Sequence, residues 1–314
     1  MNDVEIYKGK YYLKWIKKPI EVVHYKLPEK VIVLDLDETL GSFGDLYILW
    51  SGITQLHPQF TQFEPLLDLY PEFLRYGILT ILEFLYEKKK TKECSKIFIY
   101  TNNRCSKEWV QNICSYFQTK IHKLQPKGDL LIPLFNTLIC AFKIKNKHVE
   151  KHRTTHKKTY ADLIRCATLS KDVEICFVDD VEHEDMKNSR VYYICPKPYY
   201  HKLSCKEIIR RFVTYKWFIP KKSKLVHSID FWAKWFRSHG RQNGSEYSQK
   251  SIDEDTAISV KMLYHIKYFL KGGNPSHDGT THTNKLKRTK RRRGPKQNKT
   301  KRNRTHNHIH FERI

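Results

Sequence analysis

An α/β fold with a central parallel sheet is predicted by three features of this 314-residue chain. First, five short apolar runs (Val31–Leu34, Ile97–Tyr100, Leu138–Phe142, Ile175–Val178 and Val191–Ile194) read as strands buried on both faces. Second, stretches of helical spacing lie between them. Gly77–Lys89 is one, and Ser106–Gln118 is another, with Trp109, Ile113, Tyr116 and Phe117 along one face. Strand–helix–strand alternation calls for crossovers that cover both sides of a parallel sheet. Third, 40% hydrophobic and 13% aromatic residues are enough to bury a sizeable core.

The flanks read differently from residues 28–203. Residues 1–27 form an N-terminal extension. Residues 204–271 read as a helical appendage packed on the sheet, opened by the capping box Ser204-x-x-Glu207 and carrying helical patterns at Phe231–Phe236 and Thr256–Leu270. Trp232, Trp235 and Phe236 are read as packing side chains of this appendage. Gly272-Gly273 reads as a helix stop.

Beyond it, residues 272–314 are polar, basic and poor in apolar residues, the composition of a disordered tail. Residues 271–314 hold 14 Lys/Arg against Asp278 and Glu312, nearly half of the net charge of +25. The densest run, Lys285–Arg304, suits a nuclear import receptor or nucleic acid. His306, His308 and His310 are read as incidental rather than as a metal site.

No apolar run nears the roughly 20 residues of a membrane span, and Met1–Lys10 lacks the apolar stretch of a secretory signal. Eight scattered cysteines without a C-x-x-C pair predict reduced, structural thiols. Together these predict an intracellular protein, nuclear or cytoplasmic, with no membrane partner.

The chemistry sits after the strands, where open parallel sheets bind ligands. Asp35-Leu36-Asp37-Glu38-Thr39-Leu40 follows the first run, Thr101-Asn102-Asn103 the second, and Asp179-Asp180 the fourth. If these ends are neighbours, up to four carboxylates converge and need a divalent cation or a lysine to offset their repulsion. Oxygen-only ligands favour Mg²⁺.

Asp35-Leu36-Asp37-Glu38-Thr39 resembles the D-x-D-x-T signature of the haloacid dehalogenase superfamily, in the D-L-D-E-T-L form of FCP/SCP-type phosphatases. Thr101 is similar to the second motif of that family and Asp179-Asp180 to its fourth. Lys158, in Lys157-Lys158-Thr159, is similar to the lysine of the third, with Lys157 as the alternative. Leu74-Arg75-Tyr76-Gly77 resembles the L-R-P-G before the second motif, with Tyr76 in place of proline.

The resemblance covers roughly residues 28–215 and implies a Rossmann-like core with an insertion at residues 41–74 after the first strand. Aromatic residues of that insertion (Phe43, Tyr47, Trp50, Phe60 and Phe63) are read as core rather than as a peptide groove.

The resemblance also implies roles. Asp35 attacks phosphorus and forms an aspartyl-phosphate, and Asp37 acts as general acid and then base. Thr101, Asn102 and Lys158 bind phosphate. Asp35, Asp37 (through its carbonyl) and Asp180 hold Mg²⁺, with Asp179 orienting the site. The function expected is a phosphoserine/phosphothreonine protein phosphatase. The alternatives are a polynucleotide or small-molecule phosphatase on the same site, and an inactive binding module working through its tail.

Overall fold

A computed structural model describes residues 4–7, 10–13, 28–215, 228–239 and 249–272. The calls on the tail, Lys285–Arg304 and the three alternating histidines lie outside these residues.

The N-terminal extension holds an antiparallel hairpin that the sequence reading did not anticipate, β1 (Val4–Tyr7) with β2 (Lys10–Leu13). The central sheet then opens with β3 (Lys30–Leu34), followed by α1 (Gly44–Leu56), α2 (Phe63–Asp68) and α3 (Ile78–Lys90). Next come β4 (Lys96–Tyr100), α4 (Lys107–Leu124), β5 (Thr137–Ile139) and a small hairpin of β6 (Lys143–Ile144) with β7 (Lys147–His148). The chain continues through α5 (Tyr160–Ala167), β8 (Glu174–Val178) and β9 (Val191–Ile194). It closes with α6 (Cys205–Thr214), α7 (Ile229–Ser238) and α8 (Gln249–Leu270).

Five strands form one sheet in the order β5-β4-β3-β8-β9, every neighbouring pair parallel. The chain leaves β3 toward β4 on one side and later returns to β8 on the other. Strand order therefore reverses at β3, which opens a crevice at its carboxyl end.

Alternate residues of the strands face opposite ways, and both sets are buried. Ile32, Leu34, Ile97, Ile99, Cys176 and Val178 join the larger core, with α1, α3, α4 and α6–α8. Val31, Val33, Phe98, Tyr100, Ile175 and Phe177 form a second core, where α5 is the one α-helix among the described residues. This two-faced burial is why the strands read as unbroken apolar runs.

Two expectations need correction. The strand read at Leu138–Phe142 stops at Ile139. Cys140 and Ala141 are buried outside it, and an apolar run alone does not separate strand from buried coil.

The appendage, moreover, does not pack as a whole on the sheet. α8 lies against β9 and α3, while α7 packs on α6 and on α1 of the insertion. Tyr70 of the insertion donates its hydroxyl to the carbonyl of Ile208 at 2.8 Å, and Arg211 forks onto Glu72 at 2.8 and 2.9 Å. Trp235 Nε1 donates to the Ile48 carbonyl at 2.8 Å. Gly52 allows this approach, since a Cβ there would lie 2.6 Å from Trp232 and 2.8 Å from Trp235 Nε1.

The insertion aromatics are core, as read. Phe43, Phe60 and Phe63 are buried, and Trp50 meets Phe63 edge-on at 5.1 Å between ring centroids. The Ser204 hydroxyl caps α6 by accepting from the Glu207 amide at 3.2 Å. All eight cysteines are free. No helix among the described residues is long and apolar enough to cross a membrane.

Candidate active site

Three strand ends build the site, and the sheet ladder runs one residue past each strand to do it. The Asp35 amide donates to the Val178 carbonyl (2.9 Å), Thr101 to Ile139 (2.9 Å) and Asp179 to Ile194 (3.1 Å). The backbones of the first acid, the threonine and the second acidic pair are therefore fixed by strand register, a stiffer support than a loop.

Lys158 joins the acids. It immediately precedes Thr159, the N-cap of α5, whose hydroxyl accepts from the Asp162 amide at 3.0 Å. Its buried ammonium donates to Asp35 Oδ1 and, at 2.6 Å, to Asp179 Oδ2. Lys157 is exposed and its Nζ lies 3.6 Å from Asp185, so Lys158 is the lysine of the site.

Asp179 is fully committed. Its Oδ1 accepts from the Val181 amide at 2.9 Å, and His183 Nε2 lies 3.3 Å from its Oδ2. Burial disfavours its charge, but the bonds from His183 and Lys158 outweigh that and hold its pKa below the usual carboxylate range. For Lys158, burial is likewise outweighed by the two carboxylates, so its pKa is raised.

Asp35 stands at the opposite extreme. Burial, opposed by Lys158 and reinforced by Asp179 and Asp37, pushes its pKa up to about 7. Burial also raises Asp37, although Asn103 Nδ2 donates to Asp37 Oδ2 at 2.8 Å. Asp180 is raised too, again chiefly by burial. Carboxylates that resist ionisation without a counter-charge are the expected signature of a site built for one.

Asp35, Asp179 and Asp180 each bring a carboxylate oxygen within 4.8 Å of the other two. The Asp37 carboxylate is not in this trio. Thr101 is buried, and its Oγ1 accepts from the Asn103 amide at 3.0 Å, leaving its own O–H to donate.

These residues line a cavity of about 430 Å³, with Asn102, Asn103, Glu38 and Gly44 at its wall. A larger groove of about 850 Å³ runs along α5 past Ile164, Arg165, Leu169, Lys171 and Arg190, and holds none of the acidic cluster.

The loop carrying Asp37 is held from behind. Arg75 is buried and donates to the carbonyls of Thr39 (2.7 Å), Glu38 (2.5 Å) and Lys197 (2.8 Å). Glu38 adopts a left-handed backbone, φ 56°, which bulky residues rarely take. Gly41 closes the turn where a Cβ would lie 2.4 Å from the Phe73 carbonyl oxygen.

Sequence reasoning singled out Asp35, Asp37, Thr101, Asn102, Lys158, Asp179 and Asp180, and the fold brings all seven together. It missed His183 and Arg153. The first is four residues past Asp179 and carries no motif of its own. The second is hidden in the basic stretch Lys147–Lys158.

Such an arrangement suits a reaction in which a buried carboxylate attacks a dianion, a lysine and a cation offset the charge, and a second carboxyl group moves a proton. No family model, curated protein or solved structure matches this chain.

Proposed function

We propose that this chain is a Mg²⁺-dependent phosphatase of the haloacid dehalogenase superfamily, FCP/SCP type, that hydrolyses phosphomonoesters through an aspartyl-phosphate. The observation that carries this reading is the Lys158 ammonium shared by Asp35 and Asp179 at neighbouring strand ends, with Asp180 alongside.

The residues fit a hard divalent cation. The clustered side chains are all carboxylates, and those of Asp35 and Asp180, with the Asp37 carbonyl, would hold it. Bound there, Mg²⁺ would supply positive charge to the phosphate oxygens as charge shifts in the transition state.

The protein's own residues supply the rest. Asp35 attacks phosphorus, and the alcohol leaves with a proton from Asp37. Burial raises the pKa of Asp37, the direction a proton donor needs. Asp37 then takes a proton from the water that cleaves the acyl phosphate, which restores Asp35. Lys158 offsets the charge on nucleophile and phosphoryl group, Thr101 and Asn102 donate to phosphate oxygens, and Asp179 keeps Lys158 charged and aimed.

The preferred substrate is a phosphoserine or phosphothreonine protein, by likeness to the family rather than from the cavity. Magnesium-dependent hydrolysis of an aryl phosphate by wild type and Asp35→Asn tests the reaction. Turnover expected only for the wild type would be contradicted by equal rates or by none. Phosphopeptides compared with 3′-phosphorylated oligonucleotides then separate protein from polynucleotide substrates.

A further inference from the structure

Arg153 is buried, and the hydrogen-bond acceptors of its guanidinium among the described residues are carbonyl and amide oxygens rather than carboxylates. Its Nη1 donates to the carbonyls of Thr101 (3.1 Å) and Cys140 (2.9 Å). Its Nη2 donates to Asn102 Oδ1 (2.8 Å) and to the carbonyls of His156 (3.2 Å) and Lys157 (2.9 Å). The guanidinium also lies over the Tyr100 ring, 4.9 Å from its centroid.

One side chain thus ties the end of β4 and the end of β5 to the loop that delivers Lys158. Burying a guanidinium without an anion is costly; five oxygen acceptors meet its two terminal nitrogens, while Nε is buried without a hydrogen-bond partner among the described residues.

We propose that Arg153 is a positioning residue that turns the Asn102 amide toward the phosphate; this rests on the phosphatase reading above. An amide has one accepting and one donating end. A guanidinium has only donors, so Arg153 fixes the Asn102 oxygen toward itself and leaves Nδ2 as the group that faces outward. Asn102 lines the cavity, where an N–H₂ attracts a phosphate oxygen and a carbonyl would repel it. The four backbone carbonyls seat the arginine, and Asn102 is the one side-chain group it orients. A lysine at this position keeps the charge but cannot span these acceptors with a planar fork.

The test measures inorganic phosphate as a competitive inhibitor of magnesium-dependent aryl-phosphate turnover. The proteins are wild type, Arg153→Lys, Asn102→Ala and the double variant. A hydrogen bond to a charged oxygen is worth roughly tenfold or more, so each single change should weaken phosphate by about that factor. The double variant should be no weaker than Asn102→Ala alone, because Arg153 acts through the amide already removed. Asn102→Asp retains an oxygen for Arg153 and places a second against phosphate, so it should bind phosphate more weakly than Asn102→Ala.

Multiplying effects in the double variant, or an Asn102→Asp protein that binds phosphate like wild type, would overturn the inference while the phosphatase reading stands. The Asn102 pair decides the matter even if Arg153→Lys fails to fold. A wild type that neither turns over aryl phosphate nor binds phosphate overturns both.

Discussion

Thr39 and Asp180 are joined twice: the Thr39 hydroxyl donates to Asp180 Oδ1 at 2.9 Å and accepts from the Asp180 amide at 3.0 Å. This couples the loop after β3 to the end of β8 across 141 residues of chain. Thr39→Val keeps the shape and removes both bonds, leaving the half-buried Asp180 amide without its partner at a cost of about 1 kcal/mol. Thermal melts are expected to show that loss, and calorimetric Mg²⁺ titration a several-fold weaker affinity. Thr39→Ser should restore both.

Lys158 and Lys157 are adjacent in sequence and opposite in consequence. Lys158→Met leaves two buried carboxylates without their shared cation, which costs about 3–5 kcal/mol when both are ionised. The penalty should be largest at pH 8 and smaller at pH 5, where Asp35 is protonated. Lys157→Met, at an exposed site, should stay within about 0.5 kcal/mol of wild type. Equal effects of the two changes in denaturant titrations would contradict the assignment of Lys158.

Asp35 sets a pH dependence whose sign follows from its raised pKa. Unfolded, it titrates near 3.8; folded and without metal, near 7. Between those values the folded protein holds a proton that the unfolded chain has released, so this group's contribution to stability falls as pH rises through the window. In EDTA, wild type should lose more of its Tm between pH 5 and pH 8 than Asp35→Asn does. The variant should be the more stable of the two at pH 8. Mg²⁺ binding must expel the same proton, so its affinity should rise with pH up to about 7 and then level off, and far less so in Asp35→Asn.

Gly52 tests whether α7 belongs to the fold. Gly52→Ala puts a methyl group into Trp232 and Trp235, an overpacking expected to cost about 1–3 kcal/mol. Tryptophan fluorescence should shift with it. An unchanged melt would mean that α7 is not seated on α1.

Much of this architecture was legible because its signals are local. Strands buried on both faces print as apolar runs, and four of the five both begin and end within a residue of the run. The acidic pairs follow those runs directly, so their meeting at the crevice follows from a parallel sheet that reverses at β3. What was not legible depends on distant partners. Nothing near Trp235 announces Gly52, and that is why α6 and α7 were assigned to the sheet instead of to the insertion. Arg153 looks like one more basic residue in Lys147–Lys158 until the ends of β4 and β5 are placed beside it. The choice between Lys157 and Lys158 needed the start of α5, where the N-cap Thr159 fixes which neighbour turns inward.

The most direct measurement is mass spectrometry of protein quenched in acid during turnover of an aryl phosphate with Mg²⁺. The peptide containing Asp35 is expected to carry one phosphoryl group on that residue, with none on Asp35→Asn. A phosphoryl group on another residue, or steady turnover by Asp35→Asn, would contradict Asp35 as the phosphoryl acceptor.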